Sequence, residues 1–121
     1  MKTLIITITS VFVVCVIASS APDAVRGKEA FEKRCGGCHG LDRTKEGPML
    51  RKIFGHRSGN TAGFPYSDAV KNSNLIWDEQ TLDKWLEDPE KLIPNNDMAT
   101  RVPDATDRAN IIAYLKSLST Q

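Results

Sequence analysis

The sequence predicts an all-α fold of three main helices plus a short one. Three segments repeat apolar residues at helical spacing behind acidic caps, no strand-like alternation persists anywhere, and two long connecting stretches lack periodicity. At 121 residues the chain has room for one domain and not two.

The first segment lies outside that domain. Lys2 supplies a positive start, Leu4 to Ala18 is an almost unbroken apolar run, and the small residues Ala18-Ser19-Ser20-Ala21 follow. This is the layout of a secretory signal peptide over residues 1–21, cut near Ser20 or Ala21. The run is shorter than the roughly 20 residues a spanning helix needs, and an uncleaved anchor is the alternative. Val14 stands where a lipoprotein would have a small residue before its cysteine, so Cys15 reads as apolar filler. The expected mature domain, 22–121, keeps Cys35 and Cys38 as its only cysteines. Without Lys2 its 15 basic residues face 15 acidic ones. A neutral chain lacks the clustered basic excess of a nucleic-acid binder.

Within the domain, Asp23 caps a first helix from Ala24 to about Arg34, with Gly27, Phe31 and Cys35 on one face. A short helical turn after Ser67 covers Asp68 to Asn72. Asp78 caps the next main helix, Trp77 and Leu82 hold staple positions, and Leu82, Trp85 and Leu86 form its stripe. Asp88-Pro89 stops it, because the residue before proline is pushed out of helical geometry. The last helix runs from Asp104 to about Leu118, burying Ile111, Ile112, Leu115 and Leu118 on one face.

The stretches Gly40 to Tyr66 and Pro89 to Pro103 are long for a compact domain. Loops that fold around something other than their own side chains explain that length. The sequence names the filler. Cys35-Gly36-Gly37-Cys38-His39 is the haem attachment pattern, in which two thiols add to the vinyl groups and the next residue brings an imidazole to the iron. Gly36 and Gly37 are expected to permit the tight turn. The competing reading is a redox-active or zinc-binding Cys-x-x-Cys beside an accidental histidine, and zinc needs four ligands with only Cys35, Cys38, His39 and His56 to draw on. Absent haem, the domain is expected to be largely unfolded.

A second axial ligand must be a thioether or imidazole well beyond His39. Met98, in the polar Ile93-Pro94-Asn95-Asn96-Asp97-Met98 loop, has no obvious packing role and is the favoured ligand. Met49 reads as packing filler, and His56 is the rival imidazole.

Taken in order, these residues resemble the soluble class I cytochromes c of the mitochondrial and proteobacterial type. Gly27 and Phe31 come first, then Cys35 to His39, Gly47-Pro48, Phe54-Gly55, Gly63-Phe64-Pro65-Tyr66 and Trp77. Ile93-Pro94 leading to Met98 and Ala113-Tyr114-Leu115 complete the series. The resemblance implies that fold: three main helices plus a short one wrapped around one haem c held by two thioethers. It implies that the Pro48 carbonyl accepts from the His39 ring N–H, and that Tyr66 and Trp77 hydrogen-bond a haem propionate. Ordinary aromatic core is the plainer reading of those two. It also implies that Gly27 lets the first and last helices cross closely beside Phe31 and Tyr114.

The chain departs from the mitochondrial pattern at several places. The His39–Pro48 segment is shorter, His56 stands for an arginine, Trp85 for a tyrosine, and Asn95-Asn96-Asp97 for glycine, threonine and lysine. A neutral mature chain also lacks the mitochondrial ring of lysines, which predicts weak salt dependence and a less acidic partner.

His39 and Met98 would fill both axial positions of the iron, which favours outer-sphere electron transfer over catalysis. The expected function is therefore a one-electron carrier between larger redox proteins, soluble or membrane-bound, with no small-molecule substrate and a monomeric state. Retention of the leader would tether it to the membrane. A dedicated subunit of a dehydrogenase or oxidase is the alternative, followed by a peroxidase or ligand sensor with an open iron site. Export with covalent haem places the protein in the periplasm of a Gram-negative bacterium.

Overall fold

The computed structural model describes Val13 and residues 20–121. The leader expected over 1–21 falls almost wholly outside them. Five helices appear among the described residues: α1 (Ala24–Arg34), α2 (Asp68–Asn72), α3 (Glu79–Glu87), α4 (Pro89–Leu92) and α5 (Ala105–Ser119). None is long and apolar enough to cross a membrane.

Acidic and hydroxyl caps set the helix starts. Asp23 accepts from the Val25 and Arg26 backbone N–H groups, and Asp104 accepts from that of Asp107. At α3 the Asp78 carboxylate accepts from the Thr81 N–H, while the Thr81 hydroxyl accepts from the Asp78 N–H. The Thr81 N–H and hydroxyl hold the Asp78 carboxyl below its ordinary pKa.

The chain after Asp88 differs from the sequence reading. Pro89 ends α3 and also opens α4, a one-turn helix within the stretch read as aperiodic. Proline suits the first helical position because its missing N–H would have no partner there. Asp88 serves both helices: its N–H closes α3 onto the Lys84 carbonyl, and its carboxylate accepts from the Lys91 N–H.

The main packing contact is the crossing of α1 and α5. A Cβ built on Gly27 would lie 1.9 Å from the Asn110 carbonyl oxygen, so only glycine fits this approach. Phe31 and Tyr114 pack edge to face beside it, with ring centroids 5.6 Å apart. The Asp23 N–H donates to the Asn110 side chain, and Arg34 forms a 2.6 Å ion pair with Asp107. Helix α3 packs against the other part of α5 through Leu82 and Leu86. Ile111, Ile112, Leu115 and Leu118 are all buried, as the periodicity predicts.

Two connections beyond the helices organise the loops. The chain at 55–58 runs antiparallel to that at 75–77, through Gly55 to Trp77, Trp77 to His56 and Ser58 to Leu75 backbone hydrogen bonds. Arg108, buried in α5, donates to Asp83 on α3 and to the Val102 and Pro103 carbonyls. It thereby holds the end of the Met98 loop against α3 and α5.

Gly27→Ala is expected to lower folding stability by about 3 kcal/mol, because backbone meets backbone and no flexible side chain can yield. Denaturant midpoints of the two holoproteins check this.

Candidate haem site

Helix α1 ends directly in the attachment segment. The Cys35 carbonyl accepts from the N–H groups of both Cys38 and His39, rolling the segment into a single turn. The glycines contribute differently from expectation, since neither Gly36 nor Gly37 adopts positive φ. Gly36 is needed for space, its Cβ position lying 2.8 Å from the Glu32 carbonyl oxygen, whereas nothing lies within 4 Å of that of Gly37. The turn is tight because of its hydrogen bonds and the helix it leaves.

Cys35, Cys38, His39 and Met98 line one cavity of about 450 Å³. Its walls are the inner faces of the core itself: Phe31 of α1, Val70 of α2, Leu82 and Leu86 of α3, and Ile111 and Leu115 of α5. Tyr66, Trp77 and Trp85 also line it, and the two tryptophan rings pack 5.3 Å apart. A volume of this kind suits a large apolar ligand.

His39 is held tightly. Its Nδ1 lies 2.9 Å from the Pro48 carbonyl oxygen, the partner the resemblance implies. Gly47 makes room for the ring: a Cβ there would meet His39 Cε1 at 2.3 Å. Burial pushes the His39 imidazole below its ordinary pKa, against a smaller upward pull from the Pro48 carbonyl. The neutral ring can therefore donate from Nδ1 and keep the Nε2 lone pair for a metal.

The two thiols sit in different surroundings. Cys35 is largely covered, and burial raises its pKa to about 11. Cys38 is exposed at the cavity rim and 3.3 Å from a Glu46 carboxylate oxygen, a hydrogen bond that raises its pKa. Lys45 donates to the Gly36 carbonyl close by, so both charge signs occur at this rim.

The rival ligands are elsewhere. His56 is exposed, with Nδ1 3.3 Å from the Phe54 carbonyl, and it lines a separate surface depression instead of the cavity. With His56 outside the cavity, Cys35, Cys38 and His39 are one short of the four ligands that the zinc reading drew on. Met49, read as packing filler, is 40% exposed and lines that same depression. Tyr66 accepts at its hydroxyl from the Thr61 N–H, which leaves its own O–H to donate. Trp77 is buried.

The donor set and the walls fit one haem: two thiols and an imidazole on one turn, and a thioether on a separate loop. A family model described as Cytochrome c matches residues 24–119. The chain belongs to the cytochrome c family. Cytochrome c of Euglena viridis is 41% identical over 99 residues, covering 79% of this chain and 97% of its own length. Cytochrome c2 of Rhodomicrobium vannielii is 42% identical over 102 residues, covering 81% of each. Among solved structures, cytochrome cH from Methylobacterium extorquens superposes with a TM-score of 0.74 at 38% identity. It covers 78% of this chain and 98% of its own. Membership brings one covalently attached haem c, and the paired cysteines stand in the family's attachment pattern.

Gly47→Ala is expected to displace the His39 ring and cost the holoprotein about 2 kcal/mol. Denaturant midpoints check the loss, and a changed ferric spectrum would locate it at His39.

Proposed function

We propose that this cytochrome c shuttles single electrons between larger redox proteins, with His39 and Met98 as the axial ligands of its haem. The observation that carries the reading is that the Cys35–His39 turn and Met98 line one apolar cavity. Haem c supplies an iron that changes by one electron between its ferrous and ferric forms. The chain's residues decide what that change is used for. Cys35 and Cys38 tether the ring, and the Pro48 carbonyl orients His39 and raises its basicity. With haem bound, a histidine–methionine pair would raise its potential, and both residues engaged would leave oxygen or peroxide no place to bind. Phe31, Leu82, Ile111 and Leu115 keep water from the buried side. Tyr66 and Trp77 are assigned to the propionates, Tyr66 with the O–H that its bond from Thr61 leaves over.

The partner follows from charge. The domain has equal numbers of acidic and basic residues, and its rim near Cys38 mixes Lys45 with Glu46. Such a surface gains little from long-range steering, so a weakly charged docking partner and a shallow salt dependence are assigned. Residues 1–21 are assigned as the export leader, and the periplasm of a Gram-negative bacterium as the site of work, on the charge and hydrophobicity pattern of that segment.

The ferric holoprotein should show the weak long-wavelength band of an iron–methionine sulfur bond and react slowly with added imidazole. Met98→Ala should abolish the band, bind imidazole at once and lower the midpoint potential. A wild-type protein without the band, binding imidazole immediately, would make the iron site open and overturn the carrier reading.

A further inference from the structure

The segment that presents Met98 carries its own brace. Asn95 sits in the left-handed region at φ 65°, a conformation asparagine tolerates better than most residues. Its N–H donates to one carboxylate oxygen of Glu90, at 2.9 Å. The Asn96 side-chain NH2 donates to the other Glu90 oxygen at 3.3 Å and to the Ile93 carbonyl at 2.9 Å. The Asn96 side-chain Oδ1 accepts the Met98 backbone N–H at 2.7 Å. Both carboxylate oxygens of Glu90 and both ends of the Asn96 amide are thus engaged. The result is a continuous path from α4 to the Met98 backbone.

We propose that Asn96 and Glu90 are positioning residues that hold Met98 closed over the cavity and so set how fast its sulfur leaves the iron. The proposal rests on Met98 being the axial ligand. Nothing else in the segment does this work as directly. Pro94 and Asn95 are exposed, and their side chains make no hydrogen bond to Met98. Arg108 grips the chain only at Val102 and Pro103, beyond Met98. The amide is chemically specific for the place: it must accept from one neighbour while donating to a carboxylate. Asn96→Asp would keep the acceptor for Met98 but set a second carboxylate against Glu90. Adding Glu90→Gln would then restore that one contact, the new amide donating to the new carboxylate and accepting from the Asn95 N–H, while the bond to the Ile93 carbonyl stays lost.

The test is the rate at which imidazole displaces the methionine from the ferric holoprotein, followed by loss of the long-wavelength band. Losing these hydrogen bonds is expected to speed displacement about tenfold or more in Asn96→Ala. Asn96→Asp should be at least as fast, and the Glu90→Gln/Asn96→Asp pair, which regains the contact between these two side chains but not the bond to Ile93, should return part of the way to wild type. Lys91→Ala, an exposed position on α4 outside both the network and the cavity, should exchange at the wild-type rate. A general loosening of the loop would speed both single variants and the double variant alike, and would overturn the proposal, as would an Asn96→Ala rate equal to wild type. A wild-type protein that lacks the band from the outset would instead refute the Met98 assignment, so the two failures are separable.

Discussion

The fold depends on a large apolar volume in its centre. Phe31, Leu82, Leu86, Ile111 and Leu115 are the core of this domain, and all of them turn a face toward the same cavity of about 450 Å³. Unfilled, that volume would leave these side chains without partners on one side, so the haem is expected to contribute to folding as well as to function. The long connections then make sense, since each wraps the cavity and neither has a core of its own.

The helices serve as the rigid frame for this arrangement. The α1–α5 crossing at Gly27 fixes where α1 ends, and α1 ends at Cys35. Because the Cys35 carbonyl binds the N–H groups of Cys38 and His39, the position of the imidazole is determined by that crossing. Gly47 and the Pro48 carbonyl complete its orientation from the far end of the following loop. Met98 is held by a separate set of contacts: the Asn96–Glu90 bonds before it, and Arg108 after it. The histidine side is thus built on backbone packing, and the methionine side on polar side chains. Polar contacts near the surface open more readily than a helix crossing, which places the adjustable element of the site on the methionine side.

Much of this was legible in the sequence because the signals were local. Caps at Asp23, Asp78 and Asp104 fix the helix starts to within a residue, and the apolar spacing of α5 identifies its buried face. The Cys35–His39 motif names the cofactor before any geometry is known. The missed features are of two kinds. Pro89 carries two opposite local meanings, stop and start, and the stop signal hid α4. Asn96 on a loop, Glu90 on the exposed side of α4 and Arg108 on a buried helix face act through contacts that periodicity does not encode, so they carried no pattern to read. Gly36 and Gly37 illustrate a different error, in which a residue type suggested backbone freedom while the structure uses Gly36 for space.

The dependence of the fold on haem is tested by far-UV circular dichroism of the Cys35→Ala/Cys38→Ala chain prepared without haem, beside the wild-type holoprotein. A largely unfolded spectrum with no cooperative thermal transition is expected. A native helical signal that melts cooperatively would contradict that dependence, showing that the chain can close around the cavity without a bound group.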